Sequence, residues 1–236
     1  MSASFGPGPI TPAVRAIIVA NVAVFLVTFV MPGAVRDLFG LSPRLVIEDW
    51  RIWQPLTYLF VHADLFHILF NMLFAWMFGV ELERRWGTVA FAKYYFVTGV
   101  GAGLCSVAVS LLPFDWARPS YAVPIVGASG AVYGLLLAWG LLFPHRQILF
   151  MLMFPLTARM YVIIMGAIAF FSAVGASGTG VAHVAHLGGL LVGWAYLKGP
   201  GDLRAELRYR LTRWRMERLR RRFDVHKGGR GKDWYH

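Results

Sequence analysis

The chain has 236 residues, of which 58% are hydrophobic and 15% charged, at a mean hydropathy of +0.58. This is too apolar for a soluble globular domain and identifies a membrane protein. The formal charge of +11 is a property of the tail, since over half of the lysines and arginines lie from Lys198 onward, and the single cysteine, Cys105, excludes an intramolecular disulfide and a cysteine-based zinc cluster.

A helix that crosses the hydrocarbon core needs about 20 mostly apolar residues. That template fits near 13–31, 64–82, 88–112, 129–143, 157–175 and 181–198. The expected fold class is therefore all-α: a polytopic bundle of six transmembrane helices. The first run carries no Lys or Arg before Arg15 and ends at Met31-Pro32-Gly33 without a small-residue cleavage site, so a cleaved signal peptide is not expected. Residues 32–63, with Phe39, Trp50, Trp53 and Phe60, are predicted to form a partly embedded loop with helical stretches at the outer interface. The fourth run begins a turn past Pro124, which sets Ser129 at a helix N-terminus within the membrane's thickness.

With the N-terminus inside, the cytoplasmic side receives Arg15, Arg84, Arg85, Lys93, Arg146, Arg159 and the basic tail, against Arg36, Arg44, Arg51 and Arg118 outside. The asymmetry places both termini in the cytoplasm. Three domains are expected: a short tail at 1–12, the six-span region at 13–199 and a basic tail at 200–236. In that tail Asp202 can cap a helix bearing Leu203, Leu207, Leu211 and Trp214, an amphipathic helix for the anionic inner leaflet, with a solvated charged tail as the alternative. No reading module for nucleic acid accompanies it.

Chemistry concentrates at three places. Ser129 stands between Gly127-Ala128 and Gly130-Ala131, with glycines that permit a tight turn and a helix-start amide free to donate. His186 stands in an apolar helix with Gly189 and Gly193 on nearly its own face, and Gly130 and Gly134 form the complementary pair on the serine helix. Packing through those glycines would bring Ser129 and His186 within hydrogen-bond reach as nucleophile and base. His183, one turn earlier, is expected to support the site. His67 and Asn71, at i and i+4, project from one face, and with the Ser129 amide they could bind a developing oxyanion; an interhelical polar clamp is an equal reading of that spacing. Histidine pairs 62/67 and 183/186 lack the His-Glu-x-x-His pattern, and no intramembrane carboxylate accompanies the His186 helix, so neither a metal nor another cofactor is expected. Asp64 is read as a helix cap. Without a carboxylate beside His186, a Ser/His dyad is the economical proposal.

Taken together, Gly127-Ala128-Ser129-Gly130 with Tyr133, His186-Leu187-Gly188-Gly189 with Gly193, and His67-x-x-x-Asn71 preceded by His62 resemble the rhomboid family of intramembrane serine proteases over about residues 11–200. The resemblance implies Ser129 as nucleophile, His186 as general base, His67, Asn71 and the Ser129 amide as oxyanion donors, and Tyr133 packed against the imidazole. It also implies that Glu83 ties helix ends together, that Trp53-Gln54 stands where the family has Trp-Arg, and that the 175–180 segment is a mobile cap. Single-span membrane proteins are the implied substrates, cut at helix-destabilising sites, with the lipid bilayer as the medium; the richness in alanine, glycine, valine and arginine suggests a bacterial cell membrane as the location. Two other readings are weighed: an inert relative that binds membrane clients, which would be expected to lack the serine or histidine, and a small transporter, which would be expected to show internal repeats or paired intramembrane charges.

Overall fold

The computed structural model describes residues 7–114, 117, 119–150, 154–175 and 180–220, side chains excepted at 119–120, 149–150, 175, 180–181, 200–211 and 219–220. The chain divides into two units, Met1–Leu197 and Lys198–His236.

In the first unit, helix α1 (Pro12–Val30) is followed by an outer segment of three short helices, α2 (Pro32–Phe39), α3 (Pro43–Glu48) and α4 (Gln54–Thr57), and a 3₁₀ turn at Tyr58–Phe60. Each of these four helices carries proline in its first turn, where the missing N–H costs nothing. Helices α5 (Leu65–Trp86) and α6 (Thr88–Ser110) form a hairpin about Gly87, whose φ of 84° suits glycine. A short α7 (Pro119–Ala122) precedes α8 (Ser129–Leu142), then α9 (Ala158–Gly175) and α10 (Gly180–Arg220). Helices thus stand at all six expected positions. Among the described residues α1, α5 and α6 are long and apolar enough to cross a membrane, and α8 and α9 are shorter apolar helices. The molecule is an all-α polytopic membrane bundle.

One element departs from pure helix. Between α8 and α9, β1 (Gln147–Phe150) pairs antiparallel with β2 (Phe154–Thr157), Gln147 opposite Thr157 and Phe150 opposite Phe154. The short apolar stretch between two helices cannot hold a helix through Pro155, and the two strands satisfy each other's main-chain groups.

Helix α8 is the centre. It packs against α5, α6 and α9, and Gly130 to Leu136 and Ala138 to Gly140 are buried. Lipid gives helices no hydrophobic reason to associate, so close packing of small residues has to do it. A Cβ on Gly99 would meet Leu59 and Ala131, and one on Gly134 would meet Thr98 at 2.7 Å. The large apolar side chains left exposed on α1, among them Val19, Leu26, Phe29 and Val30, suit a face turned to hydrocarbon.

Two polar devices fix the helix ends. Asp64 caps α5 by accepting from the His67 amide at 2.9 Å, as its position suggests. Glu83, buried, accepts from Thr11 Oγ1 (2.5 Å), the amides of Ala13 (2.9 Å) and Val14 (3.0 Å), and Thr88 Oγ1 (2.8 Å). One carboxylate therefore joins the start of α1, the end of α5 and the start of α6, the tie implied by the resemblance. The two amides it takes belong to the unsatisfied first turn of α1.

In the second unit the backbone is helical to Arg220, with a non-helical Gly199 (φ 68°) at the Gly-Pro-Gly break. Residues 212–218 are exposed, Arg213 pairs with Glu217 at 3.0 Å, and Arg218 lies over the Trp214 ring. The side chains of Asp202, Leu203, Leu207 and Leu211, on which the amphipathic reading rests, lie outside the described residues.

Candidate active site

The segment that delivers Ser129 is held by main chain. Leu41 and Ile125 exchange hydrogen bonds at 2.9 and 2.8 Å, tying the outer segment to the approach to α8. The Gly127 amide donates to the Tyr58 carbonyl at 2.9 Å, while the Tyr58 hydroxyl donates to the Gly99 carbonyl at 2.7 Å. Gly127 itself has φ 112°, a conformation side chains rarely adopt, and a Cβ there would lie 2.5 Å from His67 Nε2. The turn thus needs glycine both for its backbone and for the imidazole beside it. Ser129 then opens α8, so its amide belongs to the first turn, where main-chain donors have no intrahelical acceptor.

Helix α10 brings His186 to the serine. Its Nε2 lies 2.8 Å from Ser129 Oγ. The approach depends on the predicted glycines: a Cβ on Gly189 would fall on the Gly130 carbonyl oxygen, and one on Gly193 would come within 3.4 Å of the Gly134 Cα. Tyr133, one turn below Ser129 on the same face, stacks on the imidazole with ring centroids 4.3 Å apart and planes 5° apart. His183 meets His186 edge-on at 5.5 Å. With Nε2 accepting from the hydroxyl, Nδ1 carries the proton; that atom is buried and has no hydrogen-bond partner among the described residues.

His67 and Asn71 face the Gly127 turn, Asn71 Nδ2 lying 3.7 Å from the position of a Gly127 Cβ. The Ala63 amide points at His67 Nδ1 at 3.4 Å, which leaves Nε2 to carry the proton towards the turn. Asn71 departs from the simple expectation of a free donor, because its Nδ2 donates back to the His67 carbonyl at 2.9 Å. The amide retains a second N–H.

His62 is fully buried, its ring 5.0 Å edge-on from His67, with the Ala128 amide directed at its Nε2 at 3.5 Å. Burial, aided by His67, pushes its pKa down to about 4, so it stays neutral. No spacing rule marks a contact between a connecting segment and a main-chain amide 66 residues on. Gln54 is likewise buried, accepting from the Ser42 amide at 3.1 Å, and Trp53 Nε1 donates to the Leu38 carbonyl at 2.9 Å. The pair Trp53-Gln54 therefore holds the outer segment together with glutamine in the second place. The expected cap at 175–180 lies largely outside the described residues. An apolar cavity of about 340 Å³ between α1 and the outer segment, lined by Val24, Val27, Val35, Phe39, Phe60 and Val61 among others, carries none of these groups.

Residues 49–199 match the family model for the rhomboid domain, a stretch that includes Ser129, His186, His67 and Asn71. The chain belongs to the rhomboid family. Similar rhomboids include the mitochondrial rhomboid protein 1 of Saccharomyces cerevisiae, 33% identical over 138 residues (58% of this chain, 38% of that protein). The rhomboid protease GlpG of Yersinia enterocolitica is 29% identical over 190 residues (79% and 60%), and the rhomboid protease GluP of Bacillus subtilis 29% over 156 (66% and 27%). The chain thus spans 27% to 60% of the length of these three relatives.

Proposed function

We propose that this rhomboid is an intramembrane serine endopeptidase with a Ser129/His186 dyad. The observation that carries the reading is the 2.8 Å contact between Ser129 Oγ and His186 Nε2 at a helix start. His186 takes the hydroxyl proton as Oγ attacks the scissile carbonyl carbon, then passes that proton to the leaving amine as the C–N bond breaks. Water, deprotonated by the same imidazole, hydrolyses the acyl-enzyme and regenerates Ser129. Tyr133 holds the imidazole in plane through the cycle. His67, the remaining Asn71 N–H and the Ser129 amide receive the oxyanion.

The substrates are single-span membrane proteins cut where a helix unwinds, because a regular helix shields its carbonyls from attack. Arginine and lysine distribution supports both termini on the cytoplasmic side, with the serine opening to the outer side of what we take to be a bacterial cell membrane. Residues 13–199 form the protease domain, spanning the membrane six times, and 200–236 a basic tail at the inner leaflet.

A serine-reactive fluorophosphonate tests the nucleophile. The wild type should be labelled at Ser129, with His186→Ala strongly slowed. Equal labelling of Ser129→Ala would dismiss the dyad.

A further inference from the structure

We infer that Arg36, on α2 of the outer segment, is a positioning residue for His67, an inference that rests on the protease reading above. Oxyanion donation by His67 demands one tautomer. Nε2, the atom that faces the Gly127 turn, must carry the proton, so Nδ1 must accept a hydrogen bond. The donor that faces Nδ1 is the Ala63 amide, at 3.4 Å.

Ala63 lies between the 3₁₀ turn and α5, in a stretch without helical or strand hydrogen bonding of its own. Its carbonyl is taken by Arg36 Nη2 at 2.5 Å, a bond strengthened by the charge of the guanidinium. Arg36 is thus the side chain that grips the residue whose amide sets the His67 ring. The grip is not a by-product of an ion pair: no carboxylate pairs with Arg36 among the described residues, and its Nε is buried without a hydrogen-bond partner. Arg36 is half-buried and this bond lies at the surface, so the guanidinium keeps contact with water while its Nη2 grips Ala63.

The opposite end of the arrangement is also fixed. Arg36's own carbonyl accepts from the Gly40 amide at 2.9 Å, and Leu41, the next residue, is bridged to Ile125 on the approach to Ser129. The outer segment and the link to α5 therefore touch the catalytic region through the Leu41–Ile125 bridge, the Tyr58 carbonyl on the Gly127 amide, His62 beside the Ala128 amide, and Arg36 through Ala63. His67 is further held by the Asp64 carboxylate on its amide and by Asn71 on its carbonyl, which fix its backbone, while its ring packs edge-on against His62 and takes a hydrogen bond from the Ala63 amide. Arg36 precedes the stretch matched to the rhomboid domain, residues 49–199.

The test uses the full-length protein in liposomes with a single-span reporter, comparing wild type, Arg36→Ala, Arg36→Met and Arg36→Lys. Nitrogen NMR of ¹⁵N-histidine-labelled protein, with the His67 signals identified by their loss in His67→Gln, reads the tautomer directly. Wild type should show His67 protonated at Nε2. Arg36→Ala and Arg36→Met should lower kcat about tenfold with KM within twofold and mix the two His67 tautomers, and Arg36→Lys, which keeps a charged donor, should recover most of both. Arg36→Met keeps the aliphatic stem, so it reports even if the alanine variant does not fold. A kcat within twofold of wild type, or a His67 signal that stays wholly Nε2-protonated, would overturn the role of Arg36 while leaving the dyad standing. Wild-type protein that cleaves no reporter, or Ser129→Ala that cleaves equally, would instead remove the protease reading itself.

Discussion

Gly189 meets Gly130 backbone to backbone: a Cβ on Gly189 would overlap the Gly130 carbonyl oxygen. That contact sets the distance between the helix that carries Ser129 and the helix that carries His186. Gly189→Ala should push them apart, lowering activity by at least 100-fold and stability by about 2 kcal/mol, the usual cost of overpacking. Gly166→Ala is the control, because a Cβ there meets only Leu190 Cδ1 at 3.4 Å. Thermal melting and cleavage rates in the same detergent check both.

Tyr133 contributes its ring rather than its hydroxyl to the His186 stack. Tyr133→Phe should keep activity within about twofold. Tyr133→Ala should lower kcat about tenfold, since an aromatic pair is worth about 1 kcal/mol and the freed imidazole samples other rotamers. A larger loss in the phenylalanine variant than in the alanine variant would contradict the stacking role.

Gly127 combines a left-handed backbone with a neighbouring imidazole. Gly127→Ala is expected to displace His67 and lower kcat by one to two orders of magnitude, roughly the effect of removing an oxyanion donor. Binding of substrate, read as KM, should change little.

Glu83 accepts four hydrogen bonds where three helices meet. Glu83→Ala should cost about 3 kcal/mol, because it leaves buried donors unmatched. The specific activity of the molecules that remain folded should be unchanged, which separates this tie from the proposed roles of Ser129 and His186.

His62 gives a pH dependence with a defined sign. Its pKa is held near 4 against about 6.5 in the unfolded chain, so the unfolded state binds the extra proton first as pH falls. The contribution is fully present above about pH 6.5 and is lost as pH falls towards 4, up to roughly 3 kcal/mol. The melting temperature of His62→Gln, compared with wild type, should therefore fall less between pH 7 and pH 4.5.

The approach of Ser129 to His186 was legible in the sequence because helices in lipid associate through small residues, and Gly130, Gly134, Gly189 and Gly193 announce that contact at helical spacing. Ser129 at a helix start could be read from Pro124 and the flanking glycines, and the Asp64 cap from its place before an apolar run. What lay beyond reach shares one trait. The His62 contact with the Ala128 amide, the Leu41–Ile125 bridge and the grip of Arg36 on Ala63 all join irregular segments far apart in the chain, where no period exists to read. The β1–β2 ribbon was hidden for a related reason: short apolar stretches of four residues look alike in helix and strand.

The most direct measurement is cleavage of a single-span reporter, bearing a small residue at a helix-breaking juxtamembrane site, by wild-type protein and by Ser129→Ala in liposomes. The account predicts cleavage by wild type and none by the variant. Cleavage by both at equal rates, or intact reporter with the wild type across a panel of such sites, would contradict it.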